Sequence, residues 1–319
     1  MEWDAYWSEL LEKHHLCDII SALEEVEQEV KGDRYFTKNI CKGIYDNYDD
    51  LTKKLSVVKS TVENKIKTIP DIHLSTSRVK GRDSLIVKII KKRSRYVIGD
   101  SKYSNMQLDS VKDAVTDLIG LKFIINYRGK WINIHKEIIK IFTLLDNDEY
   151  IDNEPLPHRD KPFIAERPRA YYAKGDNIKP YEEENIETKQ HTAGYRSIHY
   201  ILSIDDTYVE LQVRTIYDEA WSDCDHNYVY KQEANPNNKA LKELSMMLCK
   251  LTNAANDIGD MMHEIYHQKS FSKIKAEDDK WIVGESYKHT IQSIKDNLND
   301  AVERFNCFDE KLETERKGD

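Results

Sequence analysis

The sequence predicts an α/β (α+β) fold, with strands in its middle portion and helices at both ends. Two observations carry that reading. Residues 209–215 alternate with period two, so Val209, Leu211 and Val213 share one face while Glu210, Gln212 and Arg214 share the other. At the two ends the spacing changes to three and four. Leu51, Leu55, Val58, Val62 and Ile66 follow it before Pro70, and Leu241, Leu244, Leu248, Leu251, Ala255, Ile258, Met262 and Ile265 follow it after Pro236.

Taken in order, the first seventy residues read as helical and Pro70 closes them. Residues 72–80 read as a strand, and Asp83-Ser84 opens a helix over 85–95. Residues 117–125 form a second strand, and Trp131, Ile134, Ile138, Ile141 and Leu145 mark an amphipathic helix behind it. Residues 152–190 are polar, contain proline and show no periodicity, so they read as a long loop. Ile198, Tyr200, Leu202 and Ile204 then alternate up to the turn signal Asp205-Asp206-Thr207. Residues 197–215 therefore read as a β-hairpin with one apolar face and one face carrying a carboxylate, an amide and a guanidinium. A helix begins at Thr215, with Asp218 as its capping-box partner. Beyond Pro236 the first apolar seam is followed by a second at Tyr287, Ile291, Ile294, Leu298, Ala301, Phe305, Phe308 and Leu312. Two such seams joined by a short linker predict an antiparallel helical hairpin docked on the core, a helix-mediated homo-oligomer, or both. The boundaries that follow are an N-terminal helical segment at 1–70, a central domain at 71–235 and a C-terminal helical extension at 236–319.

A chain of 319 residues with formal charge −9 is long enough to bury a good core, and its bulk electrostatics favour neither nucleic acid nor an anionic membrane. No apolar run reaches membrane-spanning length, and Met1-Glu2-Trp3-Asp4 lacks the basic-then-apolar pattern of a signal peptide. Cys17, Cys41, Cys224, Cys249 and Cys307 are odd in number and never in Cys-x-x-Cys spacing, which fits reduced thiols. These features predict a soluble cytoplasmic chain.

Four motifs in one order resemble a known family, the RelA/SpoT-type (p)ppGpp synthetases, and most closely the stand-alone small alarmone synthetases. Arg78-Val79-Lys80-Gly81-Arg82-Asp83-Ser84 is similar to the family's donor-nucleotide motif, and Asp117-Leu118-Ile119-Gly120-Leu121-Lys122 to its metal strand. Gly194-Tyr195-Arg196-Ser197-Ile198-His199 resembles its guanine-stacking loop, and Glu210-Leu211-Gln212-Val213-Arg214-Thr215 its catalytic strand. Trp221 to Lys231 resembles the helix that follows, with Asp225-His226 in place of Glu-His.

The resemblance implies a mixed-sheet synthetase domain over 71–235. It also implies Mg²⁺-dependent transfer of pyrophosphate from ATP to the ribose 3′-hydroxyl of GDP or GTP. Asp117 and Glu210 become the metal carboxylates, with Glu210 also the base. Arg78, Lys80, Ser84, Lys88, Lys91 and Lys122 become donor-site residues, and His191, Tyr195, His199, Gln212 and Arg214 acceptor-site residues. Elementary chemistry agrees in kind. A triphosphate needs several cations around it. Arg78 and Lys80 lie two apart on one strand face, and Ser84, Lys88 and Lys91 share one helix face whose N-terminal amides favour anions. Mg²⁺ takes one or two carboxylates plus phosphate oxygens, and a tyrosine beside a glycine can stack on a purine.

This chain departs from the family pattern at His191, where lysine is usual, at Ala193, where asparagine is frequent, and at Lys122, where arginine is usual. A mostly neutral histidine weakens acceptor-phosphate binding near pH 7. By the same resemblance, whose toxin-type members use them, the alternative acceptors are the tRNA 3′ end and adenosine nucleotides. A basic patch for RNA would come from Lys91-Lys92-Arg93-Ser94-Arg95 with Arg159, Arg167 and Arg169. No HD-type hydrolase motif is visible, so product degradation is not expected. A remote alternative is a zinc metalloprotease, because His263-Glu264-Ile265-Tyr266-His267 is a His-Glu-x-x-His string on a predicted helix. No third ligand follows it at a recognisable interval.

Overall fold

The alternating segments of the sequence become the centre of a six-stranded mixed sheet. The computed structural model describes residues 2–30, 36–95, 102–104, 106–145, 161–229, 238–267, 274–277, 280–283 and 285–316. Helices α1 (Trp3–Lys13), α2 (Cys17–Val30) and α3 (Thr37–Ile66) precede β1 (Leu74–Val79) and α4 (Arg82–Arg95). The short α5 (Val111–Ala114), β2 (Ile119–Ile125), α6 (Trp131–Ile141), β3 (Phe163–Tyr172), α7 (Lys179–Glu183) and β4 (Glu187–Gln190) follow. The hairpin β5 (Ser197–Ile204) and β6 (Thr207–Thr215) then leads into α8 (Ile216–Tyr228). The strand order is β1-β2-β6-β5-β3-β4, with β2/β6 and β3/β4 parallel and the other pairs antiparallel.

Period two divides the sheet cleanly. Ile119, Leu121 and Phe123 of β2 lie opposite Val209, Leu211 and Val213 of β6, and all six are buried. Ile198, Tyr200 and Leu202 of β5 extend that face. Helices α1 to α6 contribute to the same apolar core, through residues such as Trp7, Leu23, Ile40, Val62, Ile86, Ile90 and Ile138. Burying each large side chain contributes roughly 1.5–3 kcal/mol, so this contiguous core is the main source of stability.

One polar cluster lies inside the helical layer. Arg93 of α4 reaches Glu27 of α2 at 2.9 Å, Thr37 of α3 at 2.7 Å and the Tyr103 carbonyl at 2.8 Å. The Arg93 and Glu27 side chains are only 4% and 3% exposed. The basic string expected to face solvent therefore does so only in part, because Arg93 is the counter-ion of a buried carboxylate. Arg169 is likewise engaged, by Glu187 at 2.8 and 3.0 Å, and Arg159 lies outside the described residues.

The reading of 152–190 as a loop is corrected over its described part, which supplies β3, α7 and β4. Its periodicity was hidden because β3 shifts register between Ile164 and Glu166 and again between Glu166 and Arg169, and carries Pro168. Other boundaries move by a few residues. The fourth helix starts at Arg82, β2 starts two residues after Asp117, and α6 stops at Ile141, where Phe142 turns extended.

After residue 237 the chain forms α9 (Asn238–His267), a small hairpin of β7 (Ile274–Glu277) and β8 (Lys280–Val283), and α10 (Glu285–Arg316). The pairs Glu243–Arg304, Lys250–Asp300 and Asp257–Ser293 run in opposite senses, so α9 and α10 are antiparallel, as the two seams predicted. The expected short linker contains the β7–β8 hairpin. Among the described residues no helix is long and apolar enough to cross a membrane.

Removing one partner of the buried ion pair strands the other charge. Arg93→Leu should lower unfolding free energy by about 3–5 kcal/mol in urea titrations, and adding Glu27→Leu should recover much of it. A loss below about 1 kcal/mol for the single variant would show that this pair does not pin the helices.

Candidate active site

The second face of the sheet is polar, and its register brings together residues far apart in sequence. Arg78 lies opposite Gly120, and Gly120 opposite Glu210. In the next row Lys122 lies opposite Gln212, Gln212 opposite His199 and His199 opposite Arg169. Arg214 stands one repeat further along β6.

At one end of this face Asp117 sits just before β2. Its two oxygens lie 2.8 Å from the Lys80 and Lys88 ammoniums. Burial pushes the Asp117 carboxyl up, but the two lysines override burial and hold it below the ordinary carboxylate value. Arg78 is exposed beside Gly120 and makes no ion pair among the described residues. Ser84 and Lys91 are exposed on α4 and are not drawn into this cluster, whereas Lys88 is.

At the centre five side chains close a ring of contacts. The Tyr195 hydroxyl meets His199 Nε2 at 2.9 Å, and His199 Nδ1 lies 3.5 Å from Glu210. Gln212 donates to Glu210 at 2.7 Å and accepts from Arg214, and Arg214 donates to the Tyr195 hydroxyl at 2.8 Å. Burial pushes the Glu210 carboxyl up and the Asp117 charge adds to this. The contacts with His199 and Gln212 outweigh both, so Glu210 also stays below its ordinary value. The site thus keeps two ionised carboxylates within each other's field.

Arg214 is the hub of this ring. Its side chain is 4% exposed and also touches Ser222 at 2.8 Å and Glu219 at 3.1 Å. The sequence reading made it an acceptor contact; the structure places it beneath Tyr195, with its bonds directed into the protein. Tyr195 itself is half-buried, with its ring edge-on to Tyr171 and His199 and its hydroxyl engaged by two partners. His191 packs near Tyr171 and Tyr195, and burial lowers its pKa, which keeps it neutral near pH 7. Lys122 is paired to Glu219 at 2.6 Å.

Two supports come from outside the motifs. At the 80–84 turn, Arg82 lies against both the Tyr6 and Tyr45 rings at 4.8 and 4.6 Å, Tyr6 donates to Asp83 at 2.8 Å, and Tyr48 to the Lys80 carbonyl at 2.8 Å. The N-terminal helices therefore brace the 80–84 turn. Around the Gly194 loop α9 is the strut. Arg196 bonds Asp176 at 2.7 and 2.8 Å and also reaches Asn253, while Asn256 donates to Asp218 at 2.9 Å. Asp218 shares the α8 cap with Thr215, as the capping box predicted.

Sequence reasoning assigned no role to Glu219, Arg196, Asp176 or Asn253. Glu219 had a weak signal, as an acid in the first turn of a helix five residues after Arg214. The Asn253 contact depends on how α9 docks, and the Arg196–Asp176 pair joins two loops twenty residues apart; local patterns encode neither. His263 stacks on Tyr127 at 4.4 Å, as a packed helix residue does, and the His267 side chain lies outside the described residues.

Residues 77–235 match the region found in RelA / SpoT proteins. The chain belongs to the RelA/SpoT family. A comparison with curated proteins returns no match. Among solved structures, the chain is similar to a GTP pyrophosphokinase family protein from Streptococcus pneumoniae, with 17% identity and a TM-score of 0.40 over 83% of this chain and 94% of that one. It is similar to small alarmone synthetase 1 from Bacillus subtilis, bound to its product pppGpp, with 19% identity and a TM-score of 0.38 over 70% and 92%. A second structure of that B. subtilis protein aligns with 16% identity and a TM-score of 0.42 over 69% and 94%.

Within this RelA/SpoT region, Gly194 is held by a steric requirement. Its φ is +84°, and an added Cβ would come within 2.5 Å of the Cys249 sulfur on α9. Gly194→Ala should lower stability by about 1–3 kcal/mol through backbone strain and overpacking together. Thermal unfolding checks this, and Cys249→Ala in the same chain should restore only the packing part. A variant as stable as the wild type would mean that α9 does not press on this loop.

Proposed function

We propose that this RelA/SpoT-family chain is a (p)ppGpp synthetase, transferring pyrophosphate from ATP to the ribose 3′-hydroxyl of GDP or GTP. The observation that supports it best is the convergence of Asp117 and Glu210 on one face of the sheet, both ionised, with Lys80, Lys88, Arg78 and Lys122 around them. We assign the chemistry to residues 71–235, with 1–70 bracing the donor turn and 236–319 bracing the acceptor loop.

Two carboxylates, leaving the remaining positions to phosphate oxygens and water, suit Mg²⁺, a hard cation. Asp117 and Glu210 would hold it. The ion, when bound, would neutralise charge on the donor phosphates. Arg78, Lys80 and Lys88 attract the triphosphate and orient its β-phosphorus towards the acceptor. Glu210 accepts the proton of the attacking 3′-hydroxyl. The bond from the β-phosphorus to the oxygen bridging it to the α-phosphate breaks as the new bond to the 3′-oxygen forms, and AMP leaves. Tyr195 offers the purine an aromatic edge or face, and Arg214 with His199 fixes the angle of that ring. Neutral His191 adds no charge for the acceptor phosphates.

With ATP labelled at the γ-phosphate, label should move to GDP and GTP, and no label should reach the 3′ position of ADP, ATP or deacylated tRNA. Asp117→Asn and Glu210→Gln should each reduce turnover more than tenfold, a barrier change above about 1.4 kcal/mol, with the fold retained. Label on tRNA or an adenosine nucleotide alone would replace the guanosine reading. Retention of more than about a tenth of the activity in either variant would remove the carboxylate assignment.

We also propose a homo-oligomer built through the C-terminal helices. On α9, Leu244, Leu251, Ile258 and Met262 are 43%, 48%, 40% and 66% exposed, although they hold coiled-coil spacing. Leu251→Asp with Ile258→Asp should shift the mass seen by light scattering towards monomer. An unchanged mass in a folded protein would rule out assembly along this stripe.

A further inference from the structure

Lys122 and Arg214 stand on adjacent parallel strands and on the same face, because Lys122 lies opposite Gln212 and Arg214 opposite Ile124. They are diagonal neighbours, so two like charges face each other across one side-chain repeat. A single carboxylate spans them. Glu219 Oε1 lies 2.6 Å from Lys122 Nζ, and Glu219 Oε2 lies 3.1 Å from Arg214 Nη1. The backbone beneath this carboxylate is held firmly. Glu219 lies in the first turn of α8, next to Asp218, whose carboxylate takes bonds from Thr215 at 2.8 Å and from Asn256 at 2.9 Å. Two residues on, Trp221 donates to Ser245 of α9. From Arg214 the contacts run on to the Tyr195 hydroxyl and to Gln212.

We propose that Glu219 is a positioning residue that joins the two nucleotide sites. It sets the Lys122 ammonium on the donor side and, through Arg214, the Tyr195 ring on the acceptor side. This rests on the donor and acceptor assignments made above. Placing an acid in the first turn of a helix is favourable in itself, so a purely structural Glu219 would change stability and leave the two substrates indifferent. A positioning Glu219 touches both. Glutamine keeps the size of the side chain but brings an N–H group against Lys122 or Arg214, which are themselves donors, so one arm of the bridge is lost.

The test is steady-state kinetics on Glu219→Gln, with circular dichroism and thermal unfolding to confirm the fold. KM for ATP and KM for the acceptor should both rise about tenfold, with Glu219→Asp intermediate. In a Tyr195→Phe background, which lacks the hydroxyl that Arg214 holds, Glu219→Gln should still raise KM for ATP but add nothing further to KM for the acceptor. Unchanged KM values, a fall in KM for ATP, or full additivity with Tyr195→Phe would each overturn the proposal. A fall would mean that Glu219 competes with phosphate for the cations. If Glu219→Gln does not fold, Glu219→Asp alone should show the paired rise, at about threefold, and equal KM values would overturn it. If the wild type transfers label to no acceptor, the synthetase reading fails separately. Calorimetric titration with a non-hydrolysable ATP analogue then decides the Lys122 arm: tenfold weaker binding in Glu219→Gln upholds it, and equal binding overturns it.

Discussion

Strand β6 must be apolar on one face and charged on the other, and its neighbours β2 and β5 share that requirement. Val209, Leu211 and Val213 seal the core, while Glu210, Gln212 and Arg214 between them carry a negative charge, an amide and a positive charge on the outer side. Because side chains alternate with a period of two, a slip of one residue would bury the carboxylate and expose three aliphatic side chains. Register and active-site geometry are thus fixed together. The ring through Tyr195, His199, Glu210, Gln212 and Arg214 needs this register, since three of its members come from β6 and His199 of β5 lies opposite one of them, Gln212. Partly buried polar networks are costly when half satisfied; here Glu210 is met by His199 and Gln212, and the two terminal nitrogens of Arg214 by Ser222, Tyr195 and Gln212.

The elements outside the RelA/SpoT region act on it from two sides. Aromatic side chains of α1 and α3 hold Arg82, Asp83 and the Lys80 carbonyl, so the turn after β1 rests on the N-terminal helices. Helix α3 also meets β1 through Lys59, Glu63 and Ser77. On the far side, α9 bonds the loop around Gly194 and the start of α8. Preorganisation of this kind matters for phosphoryl chemistry, where catalysis is mostly placement and charge.

Much of this was legible in the sequence, and for definite reasons. The β5–β6 hairpin, the α8 cap and the antiparallel α9–α10 pair were readable because their periods are unbroken and their turn residues stand at the expected places. Asp117, Lys80 and Lys88 were gathered by resemblance to the family's motifs, because no period or spacing of their own links them. Strand β3 could not be read, because two register shifts and Pro168 erase its alternation. The burial of Arg93 was equally hidden: a Lys-Lys-Arg string looks like a solvated surface until α2 supplies Glu27 from sixty-six residues away. Glu219 and Asn253 gain their roles only from tertiary contacts with residues distant in the chain.

Helix α9 is one wall with two sides. Cys249, Asn253 and Asn256 face the Gly194 loop and the α8 cap, while Leu244, Leu251 and Ile258 face away. A helix with its side chains is only about 10–12 Å across. Any surface that settles on the outer side of α9 therefore lies a single helix width from the loop carrying Tyr195. Side chains there already touch, with no room for even a methyl group between Gly194 and Cys249. The outer stripe and the Tyr195 loop are thus separated by one helix, and a tilt of that helix moves both.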